Sequence, residues 1–296
     1  MRATSLKRSK RETHSLTSQF EHPYMRLLMN PEVRALAPKK LLIGVPMTGL
    51  LRSEWAMSRW NQIIPCNWGH SECTPMLPSE SPMGYAVPEA RNIVVDRFIK
   101  EDFEWLFFLD HDVILPPTGF VHIGELIRNY GKQYPVMCGL YYAKCNPPEP
   151  LIYRGRGNGH FLDWRMGDKV LVDGIHMGCT LIHKSLMKVM WDDAPEYEVK
   201  GAGLIRRVFD NPAGIFFDPQ TGMPHGFSGT EDLAWCNRVM AGKYLEKSGW
   251  KKLAKEKYPF LCDTGFFCYH ITNEGQRYPL YVPERHRPKG KPRGPK

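Results

Sequence analysis

The stretch Trp105-Leu106-Phe107-Phe108-Leu109-Asp110-His111-Asp112-Val113 runs five large apolar residues straight into two carboxylates. Five such residues without polar alternation predict a strand covered on both faces, as the central strands of an α/β sheet are. Sheets of that kind bind ligands beyond the carboxyl ends of their strands. With the backbone extended through its end, alternate side chains share a face, so Asp110 and Asp112 point one way and His111 the other. Such a pair can hold a divalent cation together with a ligand's phosphates. Aspartates also end strands and open turns for purely local reasons, and the rest of the chain decides between the two readings.

At 296 residues, 42% hydrophobic and 12% aromatic, the chain can bury one large core or two modest ones. No apolar run approaches the roughly 18 residues that a spanning helix requires, and the basic N-terminus is followed by no apolar stretch. A cytoplasmic protein without membrane insertion is the expectation. The formal charge of +9 sits at the ends: residues 1–14 carry Arg2, Lys7, Arg8, Lys10 and Arg11 against Glu12, a net +4, and residues 284–296 carry six Lys/Arg against Glu284, a net +5, which leaves residues 15–283 balanced. The chain therefore reads as a basic arm over 1–38, a domain over 39–283 and a basic Pro/Gly-rich tail over 284–296, the ends disordered. They either contact a polyanion by counterion release or keep the protein soluble.

Eight cysteines without a Cys-x-x-Cys pair suit a reducing compartment. Cys66, His70 and Cys73 form one cluster of zinc-ligand type, but their spacing matches no common finger and a fourth ligand is missing. Packed thiols are the expectation.

Working outward, Leu41 to Met47 predicts a first buried strand ending in a Pro46–Gly49 loop. Residues 54–64 follow with Ser53 as candidate N-cap and Trp55, Trp60, Ile63 and Ile64 as the apolar stripe. Strand then helix opens a doubly wound sheet. Pro88 starts a helix over 88–101, whose Ala90, Val94 and Phe98 keep an i, i+4, i+8 stripe. Arg91 lies in its first turn, at the positive end of the helix dipole, which calls for a nearby anion or a surface pair with Glu89 or Asp96. A helix over 119–130, strands over 135–144 and 169–174, and an antiparallel edge at Leu151–Tyr153 come next. Gly174 and Gly178 permit close backbone approach to a ligand, or mark a bulge. Residues 191–229 mix turn formers with Trp191, Phe209, Phe216, Phe217 and Phe227, as binding loops or lids do. Ser228 or Thr230 caps a helix with Glu231 and Asp232 in its first turn. Phe260 to Ile271 is the last strand, with His270 near its end.

These elements, in this order, resemble the family-2 glycosyltransferases and their relatives with the GT-A fold. The resemblance covers about 39–275 and rests on the strand at 41–47, Pro88-Glu89-Ala90-Arg91-Asn92 leading into Leu109-Asp110-His111-Asp112, Asp173-Gly174 to Gly178-Cys179, and Gly229-Thr230-Glu231-Asp232 with Cys236, Arg238 and then His270. It implies a single α/β domain, Rossmann-like, with a mostly parallel central sheet flanked by helices. By the same resemblance, Asp110 and Asp112 hold the nucleotide-sugar's metal (manganese or magnesium) with His270 as a further ligand. Pro46, Met47, Thr48 and Arg91 line the nucleotide pocket, which Asp110 shares. Gly178 lies beneath the donor sugar or acceptor, Glu231 binds substrate and Asp232 is the general base. The acid that contacts the nucleotide base in the family has no clear counterpart; Glu72 and Glu80 are the candidates.

The implied reaction moves a sugar, from UDP-sugar in the first instance, to an acceptor hydroxyl. A metal and Arg91 would meet the charge growing on the leaving diphosphate. A carboxylate would take the hydroxyl's proton, as in a single displacement with inversion. Modified DNA, approached by the basic ends, or a glycan is the acceptor expected. A nucleotidyltransferase would use paired aspartates as well, but no Gly-rich phosphate loop with a lysine follows the first strand. A nucleic-acid-binding protein without catalysis is at odds with the balanced body.

Overall fold

Alternate residues of the Trp105–Leu109 strand enter two different cores. Leu106 and Phe108 join Leu42, Val94, Phe98, Leu186, Met187, Trp235 and Val239 on one face. Trp105, Phe107 and Leu109 join Leu41, Ile43, Trp55, Phe120, Ile123 and Leu126 on the other. Both faces of the strand are therefore covered, as its unbroken apolar run requires. The computed structural model describes residues 41–63, 81–101, 103–155, 159–217 and 219–287. The arm at 1–38, the Cys66/His70/Cys73 cluster, Glu72, Glu80 and the tail from 288 onward lie outside those residues.

In chain order the strands are β1 (Leu41–Gly44), β2 (Trp105–Leu109), β3 (Val113–Ile114), β4 (Val136–Leu140), β5 (Ile152–Tyr153), β6 (Lys169–Val172), β7 (Gly174–Ile175), β8 (Cys179–His183), β9 (Glu196–Val199), β10 (Gly203–Arg206), β11 (Ala213–Phe217), β12 (Pro224–Ser228), β13 (Phe260–Phe267), β14 (Tyr269–Ile271) and β15 (Arg277–Tyr278). The helices are α1 (Ser53–Trp60), α2 (Val87–Lys100), α3 (Gly119–Tyr130), α4 (Lys184–Asp193), α5 (Glu231–Ala241) and α6 (Tyr244–Lys247). The central sheet has the order β1-β2-β8-β4-β13-β6. The chain is thus an α/β protein with helices on both faces of one sheet.

The sheet is mixed: β1, β2, β4 and β13 run one way, β8 and β6 the other. β1/β2 and β4/β13 are parallel, whereas β8 runs antiparallel to β2 and β4, and β6 antiparallel to β13. Among the described residues no helix lies between β4 and β8, and entering β8 in the parallel sense requires a long crossover, usually helical. Other differences are local. Arg52, not Ser53, occupies the N-cap position of α1, without a side-chain capping bond, and of the expected stripe Trp55 is in the core while Trp60 and Ile63 are 74% and 54% exposed; Ile64 lies outside the described residues. The 191–229 stretch holds two antiparallel hairpins, β9/β10 and β11/β12, and Phe209 is buried and stacked on Trp235. The expected tail begins inside packed structure: His286 is fully buried, stacked on Trp164 at 3.9 Å. Among the described residues no helix is long and apolar enough to cross a membrane.

Gly139 of β4 tests this packing. A Cβ there would stand 2.7 Å from both Cys179 Sγ and the Phe266 carbonyl oxygen, and backbone cannot move aside as a flexible side chain can. Gly139→Ala is expected to lower unfolding stability by about 1–3 kcal/mol in denaturant titration; an unchanged midpoint would contradict the close β4/β8/β13 packing.

Candidate active site

β2 does not stay extended through its carboxylates. The Val113 amide donates to the Asp110 carbonyl at 3.0 Å, turning the chain so that β3 can pair with β14. The premise that put Asp110 and Asp112 on one face therefore fails, and the two acids meet different partners.

Asp110 meets Arg91. Nη2 donates to Oδ1 at 3.0 Å and Oδ2 at 3.2 Å, while Nε donates to Glu231 Oε1 at 3.0 Å. The guanidinium is 1% exposed and lies over the Phe108 ring at 5.1 Å. Burial works against its charge, but Asp110, Glu231 and Asp232 outweigh that and raise its pKa. The anions demanded by its place in the first turn of α2 are thus protein carboxylates, and Arg91 itself is enclosed. Its Nη1 is buried without a hydrogen-bond partner, which leaves that nitrogen's two N–H groups unspent. Both oxygens of Asp110 are engaged by Arg91.

Asp112 meets His270 and Lys144. His270↔Val113 register and the Ile271 amide on the Asp112 carbonyl at 2.8 Å set His270 Nε2 3.2 Å from Asp112 Oδ2, where Lys144 Nζ also arrives at 2.6 Å. The Tyr142 carbonyl, 3.0 Å from His270 Nδ1, fixes the ring so that Nε2 faces the carboxylate, the second hydrogen bond typical of metal-ligating histidines. Burial would raise the Asp112 pKa, but His270 and Lys144 hold it far below the usual carboxylate range. Among the described residues no three His, Cys, Asp or Glu side chains converge as a metal cage. Asp112 and His270 fit an ion held partly by substrate phosphates, which needs only one or two protein ligands.

Asp232 opens α5. Its Oδ1 accepts the Leu233 amide at 2.8 Å and its Oδ2 pairs with His176 Nδ1, while His176 Nε2 lies 3.1 Å from the Tyr153 hydroxyl. Burial raises the Asp232 pKa, but His176 foremost brings it below the usual range. Two residues on, Gly178 closes the gap between the acids: its amide donates to Tyr141 Oη at 3.1 Å and its carbonyl accepts the Asp110 amide at 3.1 Å. A Cβ there would stand 2.6 Å from Tyr141 Oη and 2.8 Å from Asp110 Oδ2. Tyr141 also meets His270 edge-on at 5.4 Å. Its phenol is pushed well above the usual range, by burial first and then by Asp110 and Asp232, with Asp112 adding to them. Tyr141 thus marks the point where all three aspartates are felt.

Beside them Pro46, Met47, Thr48, Tyr85, Asp110 and Asp112 line a cleft of about 120 Å³. His111 fastens its wall, with Nδ1 3.1 Å from the Pro46 carbonyl and Nε2 3.2 Å from Thr48 Oγ1. Lys144, Tyr141 and His176 are the site residues that sequence reasoning missed. His176 stood within the Gly174–Gly178 segment already singled out, and Lys144 was the one charge ending the β4 run; Tyr141 had no distinguishing signal.

No protein-family model and no curated protein matches the chain. It is similar to the solved structure of A197 from STIV, with a TM-score of 0.45 and 18% identity over 79% of this chain and 87% of that one. A likeness at that level carries no argument about function.

Acid dependence follows from the depressed carboxyls. Asp112 and Asp232 titrate below their unfolded value of about 3.9, so their stabilisation is present above that value and lost as pH falls through the folded ones. Unfolding stability should be flat near neutrality and fall steeply on acidification. Asp112→Asn should be less stable at neutral pH with a shallower acid loss; an acid loss as steep as in the unaltered protein would contradict the Lys144–Asp112–His270 arrangement.

Proposed function

We propose that this chain is a glycosyltransferase of the GT-A type, moving a sugar from a nucleoside-diphosphate sugar, UDP-sugar foremost, to an acceptor hydroxyl with inversion. One observation carries the reading. Two carboxylate–imidazole pairs, Asp112–His270 and Asp232–His176, stand at the same end of the sheet, joined through Tyr141 and Gly178.

The Pro46–Thr48 loop and Asp110 would receive the nucleoside in the cleft beside them. Asp112 and His270 would hold a divalent ion against the donor's phosphates, and manganese suits such mixed oxygen and nitrogen donors. That ion, when bound, supplies a positive charge that offsets the leaving diphosphate. In the protein alone Lys144 provides the charge on Asp112 Oδ2. Gly178 leaves open the space that any side chain would close against Asp110 and Tyr141.

Proton removal falls to the Asp232–His176 pair. Asp232 has one oxygen on the Leu233 amide and the other on His176, so it acts with the imidazole, whose Nε2 would take the acceptor's proton in place of the Tyr153 contact. Glu231 is held by Arg91 and positions the start of α5. The attack from the face opposite the leaving diphosphate accounts for inversion, as in other single displacements at an anomeric carbon. Modified DNA, met by the basic ends, or a glycan is the acceptor class proposed.

Transfer and donor hydrolysis, measured over a panel of nucleotide-sugars with and without manganese, test the reading. The unaltered chain should turn over one donor, and His176→Gln or Asp232→Asn should lower kcat by about 10²–10⁴ while donor affinity holds. Absence of turnover with every donor would sink the enzyme reading.

A further inference from the structure

The sheet carries a second concave surface, at the end away from the aspartates. β4 and β13 both begin there and run toward the site, since Val136 lies level with Ile182 while Leu109 lies level with Cys179. The two ends are separated by the length of a five-residue strand, roughly 15 Å. A cleft of about 750 Å³ opens between the residues leading into β4 and those leading into β13, with Leu171 of β6 in its wall. That size lies within the roughly 300–1,000 Å³ of small-ligand sites.

Its lining combines two half-buried aromatic rings, Tyr134 and Trp250, with exposed Lys132, Lys251 and Lys252 and one acid, Glu256. The Trp250 ring is immobilised before any ligand arrives: Nε1 donates to Ser185 Oγ at 2.8 Å, and the ring meets His183 edge-on at 5.8 Å. None of the three lysines takes part in an ion pair among the described residues. The segment 243–257 carries six lysines against two glutamates, a net +4, so the balanced charge of the body conceals a strongly basic local surface.

A fixed indole and a second ring beside unpaired cations match a ligand that has both planar faces and phosphates. An anionic bilayer fits less well, because it takes up protruding apolar side chains. None of the exposed large apolar residues among those described belongs to 132–134 or 243–258. A duplex hides its base faces, whereas a single strand offers them for stacking.

We propose that this cleft binds single-stranded nucleic acid, with phosphates on Lys132, Lys251 and Lys252 and a base against Trp250 or Tyr134. The site is separate from the aspartate end and stands whether or not the transferase reading does.

The probe is a single-stranded DNA oligonucleotide carrying 5-bromouracil, photo-cross-linked to the full chain, with affinity followed by anisotropy at low salt. Cross-links should map to peptides holding Tyr134 and Trp250. The combined variant Lys132→Glu, Lys251→Glu, Lys252→Glu should bind about ten-fold more weakly and lose those cross-links. Its circular dichroism should be unchanged, because all three side chains are exposed. Trp250→Phe, which keeps a stacking ring, should retain most of the affinity. Cross-links confined to the terminal segments with affinity unchanged in the lysine variant would overturn the proposal. Equal affinity for the matching duplex, or binding only to phosphatidylserine vesicles, would overturn it as well.

Discussion

A buried guanidinium organises this molecule. Arg91 is enclosed by protein, 1% exposed, with one edge on Asp110 and another on Glu231. Taking such a charge out of water is tolerable only with partners on it, and removing one partner of a buried pair costs about 3–5 kcal/mol. The three groups come from α2, the end of β2 and the first turn of α5. Their mutual neutralisation therefore fixes three elements relative to one another at one end of the sheet. An acid at the start of a helix is favourable, and a cation there is not; Arg91 is tolerated in α2 because two carboxylates surround it.

From that constraint the remaining geometry follows. With Asp110 held by Arg91 and its amide on the Gly178 carbonyl, the chain turns, and Asp112 swings to the strand that carries His270. With α5 held by Glu231, Asp232 faces His176. Each acid ends on its own imidazole, and Tyr141 lies between them. The arrangement separates two acid–imidazole pairs, Asp112–His270 beside Lys144 and the more deeply buried Asp232–His176.

Much of this was legible in the sequence where one interaction dominates. The unbroken run Trp105–Leu109 specified a strand buried on both faces, and the Ala90/Val94/Phe98 stripe specified α2, because burial of large apolar side chains outweighs other local terms. Arg91 announced itself by being in the wrong place on a helix dipole. What escaped depended on contacts distant in sequence. The turn after Leu109 is set by pairing of β3 with β14, more than 150 residues away, so a local rule of alternation misplaced Asp112. The direction of β8 depends on which connections contain helices. Trp60 and Ile63 looked apolar enough to be buried but face outward, and His286 looked like tail but packs on Trp164. Net charge concealed the lysines near Trp250 because acids elsewhere cancel them in the sum.

Binding at the aspartate end of the sheet tests the proposed nucleotide-sugar and divalent ion without relying on turnover. Ligand that binds only the native state raises apparent stability. Thermal unfolding of the full chain with a panel of nucleotide-sugars, manganese, and both together is the decisive measurement. If the proposed site is right, one donor and manganese together raise Tm more than the two do separately, and Asp112→Asn abolishes that gain. No shift with any donor, or a gain that persists in Asp112→Asn, would contradict it.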